Sequence, residues 1–340
     1  MKLGIVGLAS VYWPREFAQA ARSIHGVALT AAATAGRSEE QIRISLGRSP
    51  SDFATEFALR LYDDPIEMVK QEGLQGAFIC AEHSRMVELV EALAPLGVHL
   101  YIAKPMANTI ERAYRIVHVC ESSGIVAASG NTMRFDAGLR AAHQRIENGE
   151  IGDPICVRVM HQHGTISGFP AGDWYWDPEE GGPELSLGWY TVDAIRWLSV
   201  QEIRRVYAEY DRFATPGSPF MDNGKALMRL SSGALASMDI YFSTKWPFPR
   251  WEIEVVGTQG AVKTMQTGYE GMLFSDSGIQ AFTHTLNDMV LAEVTEWVEA
   301  CRSKRQPEVP VADALRTLEA CFACRESAET RQPVVVAQRD

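Results

Sequence analysis

The sequence lacks the features of a membrane protein and of a nucleic-acid binder. No apolar run reaches the roughly 18 residues that are needed to cross a bilayer. The 340 residues include 43 acidic and only 32 basic side chains, which gives a net charge of −11. An acidic chain is repelled by phosphate backbones and by anionic lipids. We therefore expect neither a membrane nor a nucleic-acid partner. With no recognisable secretory leader, we expect a cytoplasmic protein.

Cysteine is too scattered to indicate a disulfide scaffold or a zinc site. Of the six cysteines, only Cys321 and Cys324 lie close together, in a predicted helix over residues 312–329. The pair is either a redox or metal pair, or two small apolar residues at helical spacing. Because no second Cys or His pair has zinc-ligand spacing, the pattern favours the second interpretation. We expect reduced thiols and no bound metal.

The first 129 residues have the pattern of an α/β domain. Short apolar strands alternate with amphipathic helices, which predicts a parallel, doubly wound sheet of the Rossmann type. The predicted strands cover residues 2–7, 27–33, 76–80, 98–103 and 125–128. The predicted helices cover residues 14–24, 85–96 and 107–123.

Residues 130–340 have a different pattern, in which strands dominate. We predict an α+β domain with an open, mostly antiparallel sheet and helices on one face. The predicted strands cover residues 154–161, 203–213, 225–231, 234–243 and 251–256. The predicted helices cover residues 135–148, 286–301 and 312–329. Residues 231–233, Ser-Ser-Gly, indicate a hairpin turn between two of the strands.

The first strand leads into a turn that resembles a degenerate dinucleotide-binding motif. Gly7 fits the first glycine of such a motif, whereas Ala9 and Tyr12 occupy the second and third glycine positions. In a Rossmann fold this turn places a pyrophosphate on the helix N-terminus. We expect Gly7, Ala9, Ser10 and Val11 to contact a dinucleotide. With one glycine of three, an ordinary strand-to-helix turn remains the alternative.

The end of the second strand lacks the acid that selects NAD. A dehydrogenase that uses NAD usually carries an acidic residue there for the ribose 2′-hydroxyl. Here Thr34, Arg37 and Ser38 precede the first acid, Glu39. An arginine could hold a 2′-phosphate by charge-assisted hydrogen bonds. This loop predicts NADP as the preferred cofactor and NAD as the alternative, unless Arg37 is a solvated side chain at a helix start.

An ordered set of motifs then covers nearly the whole chain. It comprises Lys104-Pro105 after an apolar strand, Gly130-Asn131 with Arg134-Phe135, and residues 148–153, 177–182, 187–193, 196–198 and 255–260. In order and spacing the set resembles the glucose-fructose oxidoreductase/inositol dehydrogenase (Gfo/Idh/MocA) family. The resemblance implies oxidation of a secondary hydroxyl on a sugar, cyclitol or related polyol, or reduction of the carbonyl. It also implies a homodimer or homotetramer formed through the second-domain sheet.

The resemblance assigns further cofactor contacts and shows departures from the family pattern. The implied cofactor contacts are Ala81, Glu82, Lys104, Pro105 and Asn131. The acid before the family's lysine is replaced by Ala103, the acid two residues before Gly188 by Ser186, and the catalytic histidine by Tyr190. The threonine–proline stretch after the fourth strand reads Cys-Ala-Glu-His-Ser over residues 80–84. Tyrosine in place of the histidine resembles two active branches of the family.

Lys104 and Tyr190 are the predicted catalytic residues. Lys104 follows a strand at the carboxyl edge of the sheet, where such folds bind ligands. Its ammonium could stabilise a developing alkoxide. A cation close to Tyr190 would lower the phenol pKa, so that the hydroxyl could act as acid or base. A solvated loop lysine and a core tyrosine are the alternatives.

Several other side chains are predicted to contact substrate. These are Arg134, His163, Trp176, Ser186 and Asp193, together with Lys104 and Tyr190. Asp193 lies one helical turn after Tyr190 and could instead orient it. His161 and His163 share one strand face, and either substrate binding or a plain surface strand fits them. Trp176 belongs to an aromatic stretch that suits a sugar platform or packing between domains.

Two other functions fit the same residues. One is a lyase or glycosidase-type enzyme, in which a tightly held cofactor oxidises and then re-reduces the substrate. The other is a non-catalytic ligand-binding protein, which Ala9, Ala103 and Ser186 would suit.

Overall fold

The computed structural model describes residues 1–164, 169–215, 217–244, 250–265, 270–283 and 285–337. They form two compact units. The strands are β1 (Lys2–Val6), β2 (Ala28–Ala33), β3 (Arg60–Tyr62), β4 (Gly76–Ile79), β5 (His99–Ile102), β6 (Ala127–Ser129), β7 (Pro154–Gln162), β8 (Ile203–Asp211), β9 (Asn223–Leu230), β10 (Leu235–Tyr241), β11 (Trp251–Gly257), β12 (Gly260–Met265), β13 (Glu270–Ser275), β14 (Gly278–Thr283) and β15 (Val334–Val335). The helices are α1 (Trp13–Ser23), α2 (Glu39–Leu46), α3 (Pro50–Glu56), α4 (Pro65–Glu72), α5 (Met86–Leu93), α6 (Ile110–Ser122), α7 (Ala137–Glu147), α8 (Gly182–Ser199), α9 (Met289–Ser303) and α10 (Val311–Thr330).

The first unit is built on a six-stranded parallel sheet, which confirms the predicted Rossmann domain. The strand order is β3-β2-β1-β4-β5-β6, so the order reverses between β1 and β4. Four aromatic side chains, Phe17, Phe78, Tyr101 and Trp297, pack together in its core, with ring centroids 4.9–5.9 Å apart. In open α/β sheets, ligands bind outside the carboxyl ends of the strands at such a reversal.

The second unit is built on a nine-stranded sheet, as the sequence predicts in outline. Its order is β14-β13-β12-β11-β7-β10-β9-β8-β15, and every neighbouring pair except β7 and β10 is antiparallel. Helix α8 packs against β7 and β10 on one face. The predicted hairpin at residues 231–233 joins β9 to β10, where Gly233 N donates to Leu230 O at 3.0 Å.

The predicted division of the chain after residue 129 needs a correction. The first unit comprises Met1–Gly130 together with two later segments, Phe169–Glu180 and Val290–Leu315. The second segment joins the first unit because Trp297 of α9 is fully buried against Phe78. The compact units therefore differ from the predicted domains in these two segments, which the prediction placed in the second domain. Long-range packing of this kind leaves no local signal in the sequence.

The expectations for the cysteine pair and for membrane-spanning helices can be compared with the described helices. Cys321 and Cys324 lie buried in α10, where burial raises the pKa of the Cys324 thiol to about 12 and that of Cys321 well above its usual range. In the described part of the chain, no helix combines the length and apolar character that crossing a bilayer requires. Nor does that part contain a group of three or more His, Cys, Asp or Glu side chains that could hold a metal ion.

Candidate active site

The turn after β1 is anchored between the ends of two neighbouring strands. Gly7 N donates to Ala33 O at 2.9 Å and Ala9 N donates to Cys80 O at 2.8 Å. Gly7 has φ +106°, and a Cβ there would lie 2.5 Å from Cys80 O. A side chain at Gly7 would therefore both strain the backbone and collide with the backbone of Cys80, which follows β4. This close approach explains why the first glycine of the motif is present although the other two are absent.

The start of α1 fits an anionic group. Tyr12 precedes the helix without making a side-chain cap, while Ser10 Oγ accepts from the N–H groups of Tyr12 at 3.1 Å and Trp13 at 3.4 Å. Val11 and Tyr12 are exposed. A helix N-terminus directs N–H groups and a partial positive charge outward, which suits a pyrophosphate. The Gly7 turn and this exposed helix end thus lie where a Rossmann fold binds the pyrophosphate of a dinucleotide.

Two of the three side chains predicted for a 2′-phosphate already have local roles. Thr34 is buried, and its Oγ1 donates to Asp63 Oδ1 at 3.3 Å. Ser38 caps α2: its Oγ accepts from Gln41 N at 3.2 Å, and Gln41 Oε1 accepts from Ser38 N at 2.9 Å. A reciprocal capping box of this kind satisfies two N–H groups at the helix start.

Arg37, the third, is buried in an ion pair. Its Nη1 donates to Leu8 O at 3.1 Å, and its Nη2 donates to Ser45 Oγ at 2.9 Å. Its Nε lies 2.8 Å from Glu82 Oε1, with the two side chains only 3% and 11% exposed. Arg85 places a second guanidinium 3.5 Å from Glu82. The guanidinium is thus engaged inside the domain, and the contact of Arg37 with a ligand phosphate stays a prediction.

Lys104 lies two residues after the end of β5, at the sheet edge where β1 and β4 also end. Its Nζ is 6.0 Å from the centroid of the Trp13 ring, a distance compatible with a cation–π contact. Desolvation by burial lowers the pKa of Lys104 to about 7. Near neutral pH both the amine and the ammonium are populated, so Lys104 can accept or donate a proton.

His83 is a neutral, fixed neighbour of Lys104. Its Nδ1 lies 2.6 Å from the carbonyl oxygen of Glu180. A carbonyl oxygen only accepts, so the ring proton is on Nδ1. Burial lowers the pKa of His83 to about 4, and the charge of Lys104 acts in the same direction. His83 therefore adds no positive charge near Lys104 at neutral pH.

The segment Phe169–Glu180 is tied to the ends of several Rossmann strands. Trp174 Nε1 donates to Ala9 O at 2.6 Å, and Asn108 Nδ2 donates to Glu179 O at 2.6 Å. The Trp174 ring also packs edge-to-face on His83, with centroids 4.9 Å apart. This segment thus helps to fix the dinucleotide turn.

Trp176 lies in the same segment and is partly exposed. Its indole Nε1 donates to Pro170 O at 3.0 Å. The sequence placed Trp176 among second-domain residues, whereas it belongs to the first unit. Its predicted contact with substrate stays a prediction.

Tyr190 and Ser186 lie one turn apart on α8 and are both partly exposed. The ring of His161 contacts Tyr190 with centroids 4.9 Å apart and an interplanar angle of 69°. His163, two residues further along the chain, is exposed and stacks on Phe242 at 4.9 Å. The sequence assigned His163 to substrate, but His161 is the histidine that contacts Tyr190.

Arg134 and Asp193 pair with each other. Arg134 Nε and Nη2 donate to the two Asp193 carboxylate oxygens at 2.7 and 2.6 Å. Thr317 Oγ1 adds a bond to Asp193 at 3.1 Å, and Arg196 Nη1 donates to Thr317 at 2.8 Å. Arg134 and Asp193 are 8% and 1% exposed. They form a buried, bidentate ion pair that ties helix α8 to α10 and to the 3₁₀ helix Thr132–Phe135, and their contact with substrate stays a prediction.

Asn131 retains an unused donor. Its Oδ1 accepts from Met133 N at 3.2 Å at the start of that 3₁₀ helix. Its Nδ2 is buried and has no hydrogen-bond partner among the residues that the structure describes. A buried donor without an acceptor is costly, so a ligand oxygen would relieve the cost. This geometry is compatible with the predicted cofactor contact.

The sequence did not assign Trp13, His83 or Trp174 to the site, and it considered His161 only as a possible substrate contact beside His163. The partners of these side chains lie far away in the sequence. A usable signal existed for His83 alone, since it follows β4 within the departure from the family's threonine–proline stretch. The predicted contacts Ala81 and Pro105 are buried beside Glu82 and Lys104.

The fold and the turn define a dinucleotide-dependent enzyme class: a Rossmann domain joined to an open-faced sheet domain. Residues 1–131 match the sequence profile of an oxidoreductase family with an NAD-binding Rossmann fold. Residues 139–263 match the GFO/IDH/MocA C-terminal domain. The chain belongs to the GFO/IDH/MocA family of oxidoreductases.

Individual relatives are distant but extend over most of the chain. The D-apiose dehydrogenase of Rhizobium rhizogenes is 27% identical, over 81% of this chain and 83% of its own length. The myo-inositol 2-dehydrogenase of Thermotoga maritima is 23% identical, over 81% of this chain and 84% of its own length.

Solved structures share the fold along its whole length. The scyllo-inositol dehydrogenase of Lactobacillus casei, solved with NAD(H) and scyllo-inositol, has a TM-score of 0.82 at 22% identity, and the match covers 99% of each chain. An Agrobacterium radiobacter oxidoreductase in complex with NAD+, L-tartaric acid and magnesium has a TM-score of 0.85 at 22% identity, covering 99% of this chain and 98% of that one.

Proposed function

We propose that the protein is a dehydrogenase of a sugar or cyclitol that oxidises one secondary hydroxyl. The observation that carries the proposal is the position of Lys104 at the carboxyl edge of a Rossmann sheet. Burial there lowers the pKa of Lys104 to about 7. A nicotinamide bound at this edge supplies the hydride acceptor. The dehydrogenases of D-apiose and inositols among the relatives support this substrate class.

Each catalytic side chain has a separate task in this proposal. Lys104 as a free amine accepts the proton of the substrate hydroxyl, or as an ammonium stabilises the alkoxide. Tyr190 contributes a second acid/base hydroxyl, in the position that the family pattern assigns to proton transfer. Asn131 Nδ2 supplies the unused donor for a cofactor or substrate oxygen. Gly7 and the start of α1 hold the pyrophosphate.

A substrate panel tests the proposed activity. We would follow reduced nicotinamide by absorbance, with NAD+ or NADP+ and myo-inositol, scyllo-inositol or D-apiose as substrate. Turnover of at least one polyol is the expected result. Tight dinucleotide binding without turnover of any polyol would contradict the proposed sugar or cyclitol substrate. Failure to bind either dinucleotide would contradict the whole proposal.

For the cofactor we propose NAD(H). The expected preference for NADP depended on Arg37, and the structure shows that guanidinium buried against Glu82. Drawing it out to bind a 2′-phosphate would break a buried ion pair, which costs about 3–5 kcal/mol. NADP should therefore not bind more tightly than NAD. Titration of intrinsic tryptophan fluorescence with each cofactor measures the two dissociation constants. Tighter binding of NADP would contradict the proposal and support the preference expected from the sequence.

Replacing Arg37 by alanine should destabilise the first unit. The change leaves the Glu82 carboxylate buried, with Arg85 3.5 Å away. We expect the free energy of unfolding to fall by roughly 3 kcal/mol, the scale of a broken buried pair. The matched control is Arg43→Ala on α2, whose pair with Glu39 is more than half exposed. That control should change the free energy by less than about 1 kcal/mol, and equal effects of the two variants would refute a structural role for Arg37.

We further propose that the protein is a homo-oligomer, with the uncovered face of the second sheet against a second copy of the chain. On this face Leu227 and Leu235 are 65% and 50% exposed, on the side of the sheet opposite α8. Leu227→Glu should lower the mass measured by light scattering, because it introduces a charge into the contact. Leu286→Glu, also exposed but outside the sheet, is the control. A monomeric wild type, or a variant of unchanged mass, would contradict the proposal.

A further inference from the structure

Alternate side chains of β7 face helix α8, and the last of them is His161. Val157 and Val159 are buried on this face and His161 follows them. Strand β10 places Ile240 beside His161 on one side, and β11 places Trp251 on the other. Burying an imidazole costs free energy that an apolar side chain does not cost. Position 161 therefore departs from the apolar pattern of its row, and such departures concentrate at functional sites.

The His161 ring is enclosed and directed at Tyr190. His161 is 5% exposed, and its ring centroid lies 4.9 Å from that of Tyr190, with the planes at 69°. Trp251 lies behind it, with centroids 6.3 Å apart. Edge-to-face contacts of this geometry are favourable and directional. Because Tyr190 itself is partly exposed, the rigid ring beside it restricts the orientations that the phenol can take.

We propose that His161 is a positioning residue for Tyr190. Its ring holds the phenol in the orientation in which the hydroxyl reaches the substrate. The inference rests on the proposed catalytic role of Tyr190. It explains how a tyrosine is held in place where Ser186 stands in the family's acid position. The sheet, through His161 on β7, does the orienting that a carboxylate would otherwise do from the helix.

Two substitutions distinguish the effect of the His161 ring contact from any effect of its ring nitrogens. His161→Ala removes the contact and should lower kcat by about 10- to 100-fold, the scale of a small misplacement of a reacting group. KM for the polyol and the dissociation constant for NAD+ should stay unchanged. His161→Phe keeps a flat ring and should restore most of kcat. The matched control is His143→Ala on α7, because His143 stacks on Trp197 at 4.2 Å and that ring pair does not include Tyr190.

The outcomes distinguish this inference from the proposed function. The assay uses the polyol that is turned over in the panel, with the melting temperature of each variant as a measure of folding. A normal kcat in His161→Ala, or an equal loss in His161→Phe and His161→Ala, would overturn the positioning role. Tyr190→Phe is run beside them. If it keeps full activity, the proposed function of Tyr190 fails; if it is slow while His161→Ala is fast, only the positioning role fails.

Discussion

Lys104→Met is expected to lower kcat by about 10²-fold or more, the usual effect of removing an acid/base or electrostatic group. Methionine keeps the length and apolar stem of the side chain and removes only the titrating group. Binding of NAD+ should change little, because the pyrophosphate contacts are assigned to the Gly7 turn and α1. Steady-state kinetics with the polyol and a fluorescence titration with NAD+ measure the two effects separately.

The pH dependence identifies the form of Lys104 that acts. Because burial lowers its pKa to about 7, the amine fraction rises as the pH increases through 7. If Lys104 is the base, kcat for alcohol oxidation rises over this window and then levels off. Lys104→Met should lose this limb. A wild-type profile that falls with rising pH would assign the active form to the ammonium instead.

Stability gives an independent control for this variant. The pKa of Lys104 is lower in the folded than in the unfolded chain, so unfolding takes up a proton between the two pKa values, from about 7 to 10.5. Wild-type stability should therefore gain from Lys104 as the pH rises through this window and lose this gain as it falls back towards 7. Lys104→Met should not show this dependence. The exposed Lys70→Met on α4 should match the wild type in stability and kcat, and a loss of activity there would invalidate the comparison.

Tyr190→Phe is expected to lower kcat by about 10²-fold while folding and NAD+ binding survive, because only one hydroxyl is removed and general acid–base groups contribute on this scale. The measurement is kcat against pH for the wild type and the variant. Tyr207→Phe on β8 is the matched control, because its hydroxyl bonds to Glu209 with an O–O distance of 2.5 Å at an exposed position. Full activity of Tyr190→Phe would assign the proton transfer to Lys104 alone.

The sequence predicted the main elements because their periodicity is local. Strands such as β4 and β5 are short apolar runs, and α6 and α10 have clear helical spacing. Strands β12 to β14 were missed because their pairing depends on neighbours that are themselves short. The return of Phe169–Glu180 and α9 to the first unit could not be read from local pattern, since contacts such as that of Trp174 with Ala9 join residues far apart in sequence.

The sequence did not indicate which partner a charged side chain of the site has in the folded chain. Arg37 was predicted from its place after the second strand and Arg134 from its place in the family motif, because guanidinium groups suit phosphates and oxygen-rich substrates. Each is buried with a carboxylate, Glu82 and Asp193 respectively, and such pairings depend on the folded chain. Ala103 stands directly before Lys104, where the family pattern has an acid, and desolvation by burial is the cause of the lowered pKa of Lys104. The departure at 103 thus bears directly on the chemistry proposed for Lys104.

The central claim is that a hydride passes from a polyol carbon to a nicotinamide on this protein. The most direct measurement uses a polyol of the panel, deuterated at its hydroxyl-bearing carbons, with NAD+ and a stoichiometric amount of enzyme. We expect net formation of reduced nicotinamide that carries deuterium, as detected by mass spectrometry. Conversion of the polyol with no net reduced nicotinamide would contradict it and favour transient redox by a held cofactor.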